Sequence, residues 1–243
     1  MALPTIIPIP INPLRAGPSE LADRPVRSVP NPFFVVAVGA SAGGLEAFRR
    51  LLTDLPANTG MAFILVQHLP PVEDNLLVAA LTGYTAMPLQ QASQAMLLAP
   101  DHIYLSPPGS LFAVKAGFFE VKANDGPHGD QLPFDFLLRS LALERGDRAV
   151  CVVLSGAGTD GTIGLREIKA AGGLVIAQSD EAAFDGMPAS AIATNMVDLV
   201  LPVASMADAL MRHRDRATQG IQAVAAPDDH ENLIRDIIEL VRR

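Results

Sequence analysis

Residues 33–44 read FFVVAVGASAGG, and this stretch decides the fold of the chain. Its first six residues form an aromatic and β-branched run closed by Gly39, which is the pattern of a strand buried on both faces of a sheet. The small residues that follow permit a sharp turn, and the pattern beyond them predicts a helix from about Gly43 to Leu55. The stretch therefore predicts a strand, a tight turn and a helix in that order.

The same order of elements returns along the chain. Apolar runs recur as MAFILV at 61–66, AVCVVL at 149–154 and LVIAQ at 174–178, and a helical pattern follows each one. Strands that alternate with helices imply βαβ units. The predicted fold class is therefore α/β, with a doubly wound, mostly parallel sheet and helices on both faces. Between these units, LFAVKAGFFEVK at 111–122 predicts a small β-hairpin.

The chain is predicted to have three segments. Eight of its 20 prolines fall within residues 1–32, which predicts a disordered, Pro-rich tail. The main domain is predicted over residues 33–212. Residues 213–243 are predicted to be a linker followed by an amphipathic helix, which Asp228 and Asp229 can cap. The apolar stripe of that helix needs a partner, either the main domain or a chain or domain outside this sequence.

Composition narrows the classes of function. Of the 243 residues, 49% are hydrophobic and 18% are charged, which excludes a disordered protein, a collagen and a coiled coil. Asp and Glu total 26 against 18 for Lys and Arg, and no basic run is present, so nucleic acid is not an expected partner. The single cysteine, Cys151, is predicted to be a small buried hydrophobe. Neither a secretory signal nor a membrane-inserting stretch is evident, so we expect a cytoplasmic protein.

The turn after the first strand is the first chemical motif. Its sequence GASAGG at 39–44 sets Ser41 at the apex of a strand-to-helix turn, beside backbone amides and a helix N-terminus. That position is typical of a nucleophile. Two simpler interpretations stay open, in which Ser41 only caps the helix or the loop binds a phosphate.

Three known glycine motifs resemble this turn in part. A dinucleotide-binding fingerprint has glycine where this chain has Ser41, and a P-loop has Lys followed by Ser or Thr where this chain has Leu45 and Glu46. The nucleophile elbow of α/β-hydrolases does fit G-x-S-x-G. Its histidine comes late in the chain, however, and here it would have to be His213 or His230.

Two further polar residues follow other predicted strands. His68 comes directly after MAFILV, and Asp160 lies in SGAGTDG at 155–161, directly after AVCVVL. The carboxyl ends of parallel strands meet at one edge of a sheet, so His68 can serve Ser41 as a general base and Asp160 can orient the imidazole. Taken singly, His68 fits an ordinary loop histidine and Asp160 fits a helix N-cap. Together with Ser41 they predict a Ser-His-Asp triad.

Six motifs, in order, carry a resemblance to a known family. They are VGASAGGLEA, VQHLPP, SPPG, LPFDFLLRSLA, VVLSGAGTDGTIGL and DGMPASAIAT, and they lie between about residues 33 and 212. With them the chain resembles the catalytic domain of the chemotaxis protein-glutamate methylesterases. The resemblance implies Ser41 as nucleophile, His68 as base and Asp160 as the residue that orients the base. It implies hydrolysis of γ-glutamyl methyl esters on chemoreceptors, and some members also deamidate receptor glutamines.

The resemblance also suggests oxyanion donors and partners. The backbone amides of Ala42 and Ala157 are the candidate oxyanion donors, at positions where many members have Thr and Met. No metal or cofactor is expected. The expected partner is a methylated chemoreceptor or sensor protein, with a glutamate methyltransferase or a histidine kinase as further candidates.

Members of the chemotaxis pathway usually carry an N-terminal receiver domain, for which residues 1–32 leave no room. The sequence looks closer to the version fused to a glutamate methyltransferase and sensor modules. The alternative function is a non-catalytic module that binds a partner in a sensory signalling complex.

Overall fold

The apolar runs of the sequence form the central strands of the structure. The computed structural model describes residues 33–67, 76–124 and 132–224. The strands are β1 (Val35–Ala40), β2 (Ala62–Gln67), β3 (Leu89–Gln91), β4 (Ile103–Leu105), β5 (Ser110–Lys115), β6 (Phe118–Ala123), β7 (Ala149–Val153), β8 (Leu174–Gln178) and β9 (Leu199–Leu201). The helices are α1 (Gly44–Asp54), α2 (Leu76–Leu81), α3 (Pro133–Arg145), α4 (Gly164–Ala170), α5 (Gly186–Ala193) and α6 (Val203–Val224).

Within the described part of the chain, seven strands form one sheet in the order β3-β4-β2-β1-β7-β8-β9, and all neighbouring pairs are parallel. The chain winds outward from β1 through β2 and later returns to β7 on the other side of β1. The direction of winding therefore reverses between β1 and β7. In open α/β sheets, ligands bind beside the carboxyl ends of the strands at this point.

Two apolar cores cover the two faces of the sheet, as side-chain alternation along β1 shows. Val36 and Val38 lie in the core with buried residues of α1 and α6. Val35 and Ala37 lie in the other core with buried residues of α3, α4 and the hairpin. The predicted α/β class, with a parallel sheet and helices on both faces, is thus confirmed.

The predicted hairpin is also confirmed. Strands β5 and β6 pair with each other antiparallel, as a separate two-stranded sheet. Ala116 and Gly117 form the two-residue turn and have φ angles of 50° and 82°. Two successive positive φ values are typical of the tight hairpin turns whose twist matches that of the strands.

The C-terminal end of the described chain differs in detail from the sequence prediction. Helix α6 continues without a break past residue 212, so residues 213–224 extend it. The division into 1–32, 33–212 and 213–243 stays a prediction, and both the Pro-rich tail and the helix predicted after Asp228 lie outside the described residues. Across the described ranges, no helix has the length and apolarity needed to cross a membrane.

Cys151 is fully buried in the centre of β7, as the sequence predicts. Burial raises the pKa of its thiol, and the charges of Asp135 and Asp160 raise it further. The thiol therefore stays protonated, and Cys151 acts as a small apolar side chain of the core.

Gly39, near the end of β1, leaves room for the ring of Phe134. A Cβ at position 39 would stand 2.3 Å from the Phe134 ring, so Gly39→Ala is expected to lower the free energy of unfolding by about 1–3 kcal/mol through overpacking. Urea denaturation measures this change. Gly83→Ala is the matched control, because a Cβ there meets no atom within 4 Å, and its effect should be small. Equal effects of the two substitutions would contradict the packing described here.

Candidate active site

Ser41 occupies the turn between β1 and α1, at the centre of the sheet. Its N–H donates to the Ser155 carbonyl at 3.0 Å, and its own carbonyl accepts from the Gly44 N–H at 2.9 Å. Gly43 has a φ of 73°, the left-handed conformation that favours glycine and makes the turn possible. The peptide groups before and after Ser41 are therefore fixed by hydrogen bonds, while the Ser41 side chain is half-buried.

The end of β2 lies beside this turn. Gln67, the last residue of β2, pairs with Ala40, the residue before Ser41. Neighbouring strands lie about 4.8 Å apart, so the chain leaves β2 next to the turn that carries Ser41. His68 itself is outside the described residues, and its role as base stays a prediction.

The loop after β7 lies on the other side of Ser41. Val153 of β7 pairs with Gly39 of β1, and Leu154 donates its N–H to the Gly39 carbonyl at 2.9 Å. Gly156 approaches Ser41 so closely that a Cβ at position 156 would stand 3.0 Å from the Ser41 Cβ. Strand pairing thus brings the Ser41 turn and the loop after β7 together.

Ser155 connects three loops at the bottom of the site. Its buried hydroxyl donates to the Ala42 carbonyl at 2.9 Å and accepts from the Phe184 N–H at 3.0 Å. Its N–H donates to the Gln178 side-chain oxygen at 2.8 Å. The Ser155 carbonyl also accepts from the Ser41 N–H. Ser155 therefore fixes both the peptide group before Ser41 and the peptide group after Ala42.

Asp160 is buried, with 4% of its surface exposed, and its carboxylate points to the N-terminus of α3. It accepts from the N–H groups of Phe134 and Asp135 at 3.0 and 2.9 Å. Asp160 is not the N-cap of the helix that follows it, since α4 begins after Ile163; it caps α3 instead, which precedes it in the chain. These bonds fix the orientation of the carboxylate at the carboxyl edge of the sheet, whatever further partner it has.

Asp135 makes the reciprocal contact. Its Oδ1 accepts from the N–H groups of Ile163 and Gly164, at 3.0 and 2.6 Å, and so caps the N-terminus of α4. Burial raises the pKa of the Asp135 carboxyl, and the nearby charge of Asp160 raises it further. The two carboxylates therefore join α3 and α4 at the edge where Ser41 lies.

The amides of Ala42 and Ala157 have the property that an oxyanion hole requires. Neither N–H donates to any group within the described parts of the chain. The peptide groups that carry these two donors are fixed, because the Ser41 carbonyl accepts from the Gly44 N–H at 2.9 Å and the Gly156 carbonyl accepts from an N–H in the first turn of α5 at 2.8 Å. Fixed peptide groups with free N–H donors suit a developing negative charge. The assignment of these two amides stays a prediction.

The structure separates His213 from Ser41. The His213 ring packs edge-on against Phe34, with ring centroids 5.1 Å apart. Phe34 precedes β1 and Ser41 follows it, so the length of a six-residue strand, roughly 20 Å, lies between them. The hydrolase-elbow arrangement with His213 is therefore excluded, while His230 lies outside the described residues.

Sequence reasoning missed Ser155, Gln178 and Asp135 as parts of the site. Ser155 directly follows a buried strand, as Ser41 does, and this shared position was the available signal. Gln178 ends β8 as a polar residue that is 5% exposed, and only the pairing of β7 with β8 reveals its partner. These residues support the loops that carry Ser41 and Asp160.

Ser155→Ala is expected to lower the free energy of unfolding by about 1–3 kcal/mol. It is also expected to reduce the rate of the ester hydrolysis that the resemblance implies. The change leaves the Ala42 carbonyl and the Phe184 N–H without the hydroxyl that now bonds them. Urea denaturation and steady-state kinetics measure the two effects. Thr53→Ala removes an exposed hydroxyl bonded to the Arg49 carbonyl at 2.8 Å, and it should change neither quantity. A Ser155→Ala variant as stable and active as Thr53→Ala would contradict the proposed support.

Comparison with known proteins agrees with this geometry. The family model described as CheB methylesterase matches residues 36–210. A protein-glutamate methylesterase/protein-glutamine glutaminase of Rhizobium meliloti is 34% identical over 179 residues, which cover 73% of this chain and 51% of that protein. One from Burkholderia pseudomallei is 36% identical over 183 residues, covering 73% of this chain and 50% of that protein. This chain thus spans about half the length of these curated relatives.

A solved structure of a CheB methylesterase domain has the same fold as this chain. The crystal structure of the Thermotoga maritima CheB methylesterase catalytic domain is 28% identical in sequence and superposes with a TM-score of 0.70. The match covers 74% of this chain and 98% of that domain. From the family model, the relatives and the shared fold we conclude that the chain belongs to the CheB methylesterase family.

Proposed function

We propose that this protein is a serine hydrolase that removes methyl groups from glutamyl methyl esters of chemoreceptors or related signalling proteins. The observation that carries the proposal is the strand order β2-β1-β7. His68, Ser41 and the loop with Asp160 follow these three neighbouring strands, with Ser41 in the middle. Proton transfer requires groups within hydrogen-bond reach. The adjacency of these three strand ends supports such an arrangement, because all three segments then start at neighbouring points of one sheet edge.

The first half of the reaction forms an acyl-enzyme. The Ser41 hydroxyl attacks the ester carbonyl carbon while His68 accepts the hydroxyl proton. The C–O bond to the methoxy group then breaks, and the proton on His68 passes to the leaving oxygen, so that methanol departs. Asp160, whose carboxylate is already oriented by two backbone amides, holds the imidazole and stabilises its charged form.

The second half of the reaction restores the enzyme. A water molecule attacks the acyl carbon while His68 accepts one of its protons, and the bond to the Ser41 oxygen breaks. His68 returns the proton to Ser41, and the product is a glutamate side chain. In both halves the negative charge on the carbonyl oxygen is stabilised by the amides of Ala42 and Ala157.

A glutamine side chain can follow the same path. Attack by Ser41 on the amide carbon gives the same acyl-enzyme, and the leaving group is ammonia in place of methanol. The names of the curated relatives include protein-glutamine glutaminase as well as methylesterase. We therefore include glutamine deamidation as a second reaction of the same site.

The proposal is tested with the full chain and three probes. A helical peptide that carries one γ-methyl glutamate should release methanol, and the same peptide with glutamine at that position should release ammonia more slowly. The third probe, p-nitrophenyl acetate, measures hydrolysis of an ester without a peptide. Preference for the peptide ester over p-nitrophenyl acetate, by kcat/KM, is the expected result. Turnover of p-nitrophenyl acetate alone would indicate a small-molecule esterase and overturn the proposal.

The alternative of a non-catalytic module predicts a different result. A binding module would bind a methylated receptor fragment and leave every methyl ester intact. Binding is measured by calorimetry with the same fragment that is used for methanol release. Binding without release by the wild-type protein would establish the alternative.

A further inference from the structure

Phe184 exposes its ring beside the turn that carries Ser41. It lies in the loop between β8 and α5, and 51% of its surface is exposed. Its Cδ2 atom stands 3.2 Å from where a Cβ on Gly43 would be, and Gly43 is two residues from Ser41. One edge of the ring thus lies against the turn that carries Ser41, while about half of the residue's surface is exposed.

The backbone of Phe184 is held on both sides. Its N–H donates to the Ser155 hydroxyl at 3.0 Å, and its carbonyl accepts from the Gly156 N–H at 2.9 Å. The same Ser155 hydroxyl donates to the Ala42 carbonyl. The Phe184 backbone is therefore part of the hydrogen-bond network that positions Ser41, and this network holds the Phe184 Cα beside the turn that carries Ser41.

An exposed phenyl ring on a fixed backbone has the properties of a binding contact. Single exposed apolar side chains are common, and exposure alone indicates nothing. A ring whose backbone is already ordered, however, loses only side-chain freedom when it binds, and no loop has to be ordered. Aromatic side chains, phenylalanine among them, are enriched at the centres of protein interfaces.

We propose that Phe184 is a substrate-positioning residue that contacts apolar side chains flanking the esterified glutamate of a protein substrate. The inference rests on the function proposed above and adds the recognition of residues around the ester. In a helical substrate, side chains three or four residues from the glutamate lie on the same face, with Cβ atoms about 5–6 Å apart. An apolar side chain at that spacing contacts the Phe184 ring when the ester carbonyl is at Ser41.

Two synthetic helical peptides test this assignment. Both carry one γ-methyl glutamate; the first has leucine four residues before and after it, and the second has alanine at both positions. Phe184→Ala in the full chain should raise KM for the leucine peptide about tenfold and leave kcat within about twofold. KM for the alanine peptide and turnover of p-nitrophenyl acetate should change little. Phe184→Leu should restore most of the lost affinity.

Leu143→Ala is the matched control. Leu143 is 85% exposed and lies near the C-terminal end of α3, roughly 13 Å along the helix from the residues that Asp160 caps. This variant should have the wild-type KM for both peptides. Three results for Phe184→Ala would overturn the proposed role of Phe184 and leave the proposed function standing. They are an equal change in KM for both peptides, no change in KM, and a parallel loss of p-nitrophenyl acetate turnover. A wild-type protein that releases no methanol from either peptide would overturn the proposed function and this inference with it.

Discussion

Ser41→Ala is expected to reduce methanol release from a methylated peptide by a factor on the order of 10⁴ to 10⁶. The substitution removes the only atom of the proposed site that forms a covalent bond with the substrate. Residual activity would come from the oxyanion donors and from substrate binding. Single-turnover and steady-state release of methanol both measure the effect.

The fold should tolerate the Ser41→Ala change. Within the described residues, the hydrogen bonds of Ser41 are made by its backbone, with the Ser155 carbonyl and the Gly44 N–H, and alanine keeps both of them. The thermal unfolding midpoint should therefore stay within a few degrees of wild type. Ser110→Ala, in the separate hairpin, is the control and should keep full activity. A Ser41→Ala variant that retains a tenth or more of the wild-type rate would contradict the mechanism.

Asp160→Asn is expected to reduce kcat by a factor on the order of 10³ to 10⁴. Asparagine keeps one oxygen for the N-terminus of α3, but it has no charge to stabilise the imidazolium, and its amide group favours the wrong tautomer of His68. The comparison with Asp135→Asn is decisive, because Asp135 is also a buried helix cap at this edge. Asp135→Asn should keep kcat within about threefold of wild type at neutral pH.

The two substitutions should also differ in how stability depends on pH. The pKa of Asp135 is raised in the folded protein, by burial first and then by the charge of Asp160. A raised pKa means that ionising Asp135 destabilises the folded state, and stability is lost as pH rises through that pKa. Asp135→Asn removes this loss, so its stability relative to wild type in urea denaturation should increase as pH rises from about 4, the ordinary carboxyl pKa, through the raised pKa of Asp135. An equal loss of kcat in Asp160→Asn and Asp135→Asn would contradict the catalytic role of Asp160 and leave it only the role of a helix cap.

The sequence allowed the central part of the fold to be predicted because its strands are long and apolar. β1, β2, β7 and β8 each contain five or six residues, nearly all of them buried, which gives a clear pattern. β3, β4 and β9 have three residues each and were missed. Three residues are too few to show a period, and such strands form only because a neighbouring strand supplies the hydrogen bonds.

The candidate site was predicted in part. The positions of Ser41 and Asp160 after buried strands predict them as site residues, and the parallel register explains why the loops that carry them meet. The exchange of helix caps between Asp135 and Asp160 was not foreseen, because a sequence pattern suggests a cap for the helix that follows and not for one 25 residues away. The network around Ser155 likewise depends on the pairing of distant strands.

The most direct test of the triad is covalent labelling of the full chain with a fluorophosphonate, followed by peptide mass spectrometry. The account predicts a single phosphonylated residue, Ser41, and a labelling rate at least about 10²-fold lower in His68→Ala, because the hydroxyl then has no general base. The Ser110→Ala control should label at the wild-type rate. A label on another residue, or equal labelling rates in wild type and His68→Ala, would contradict the account.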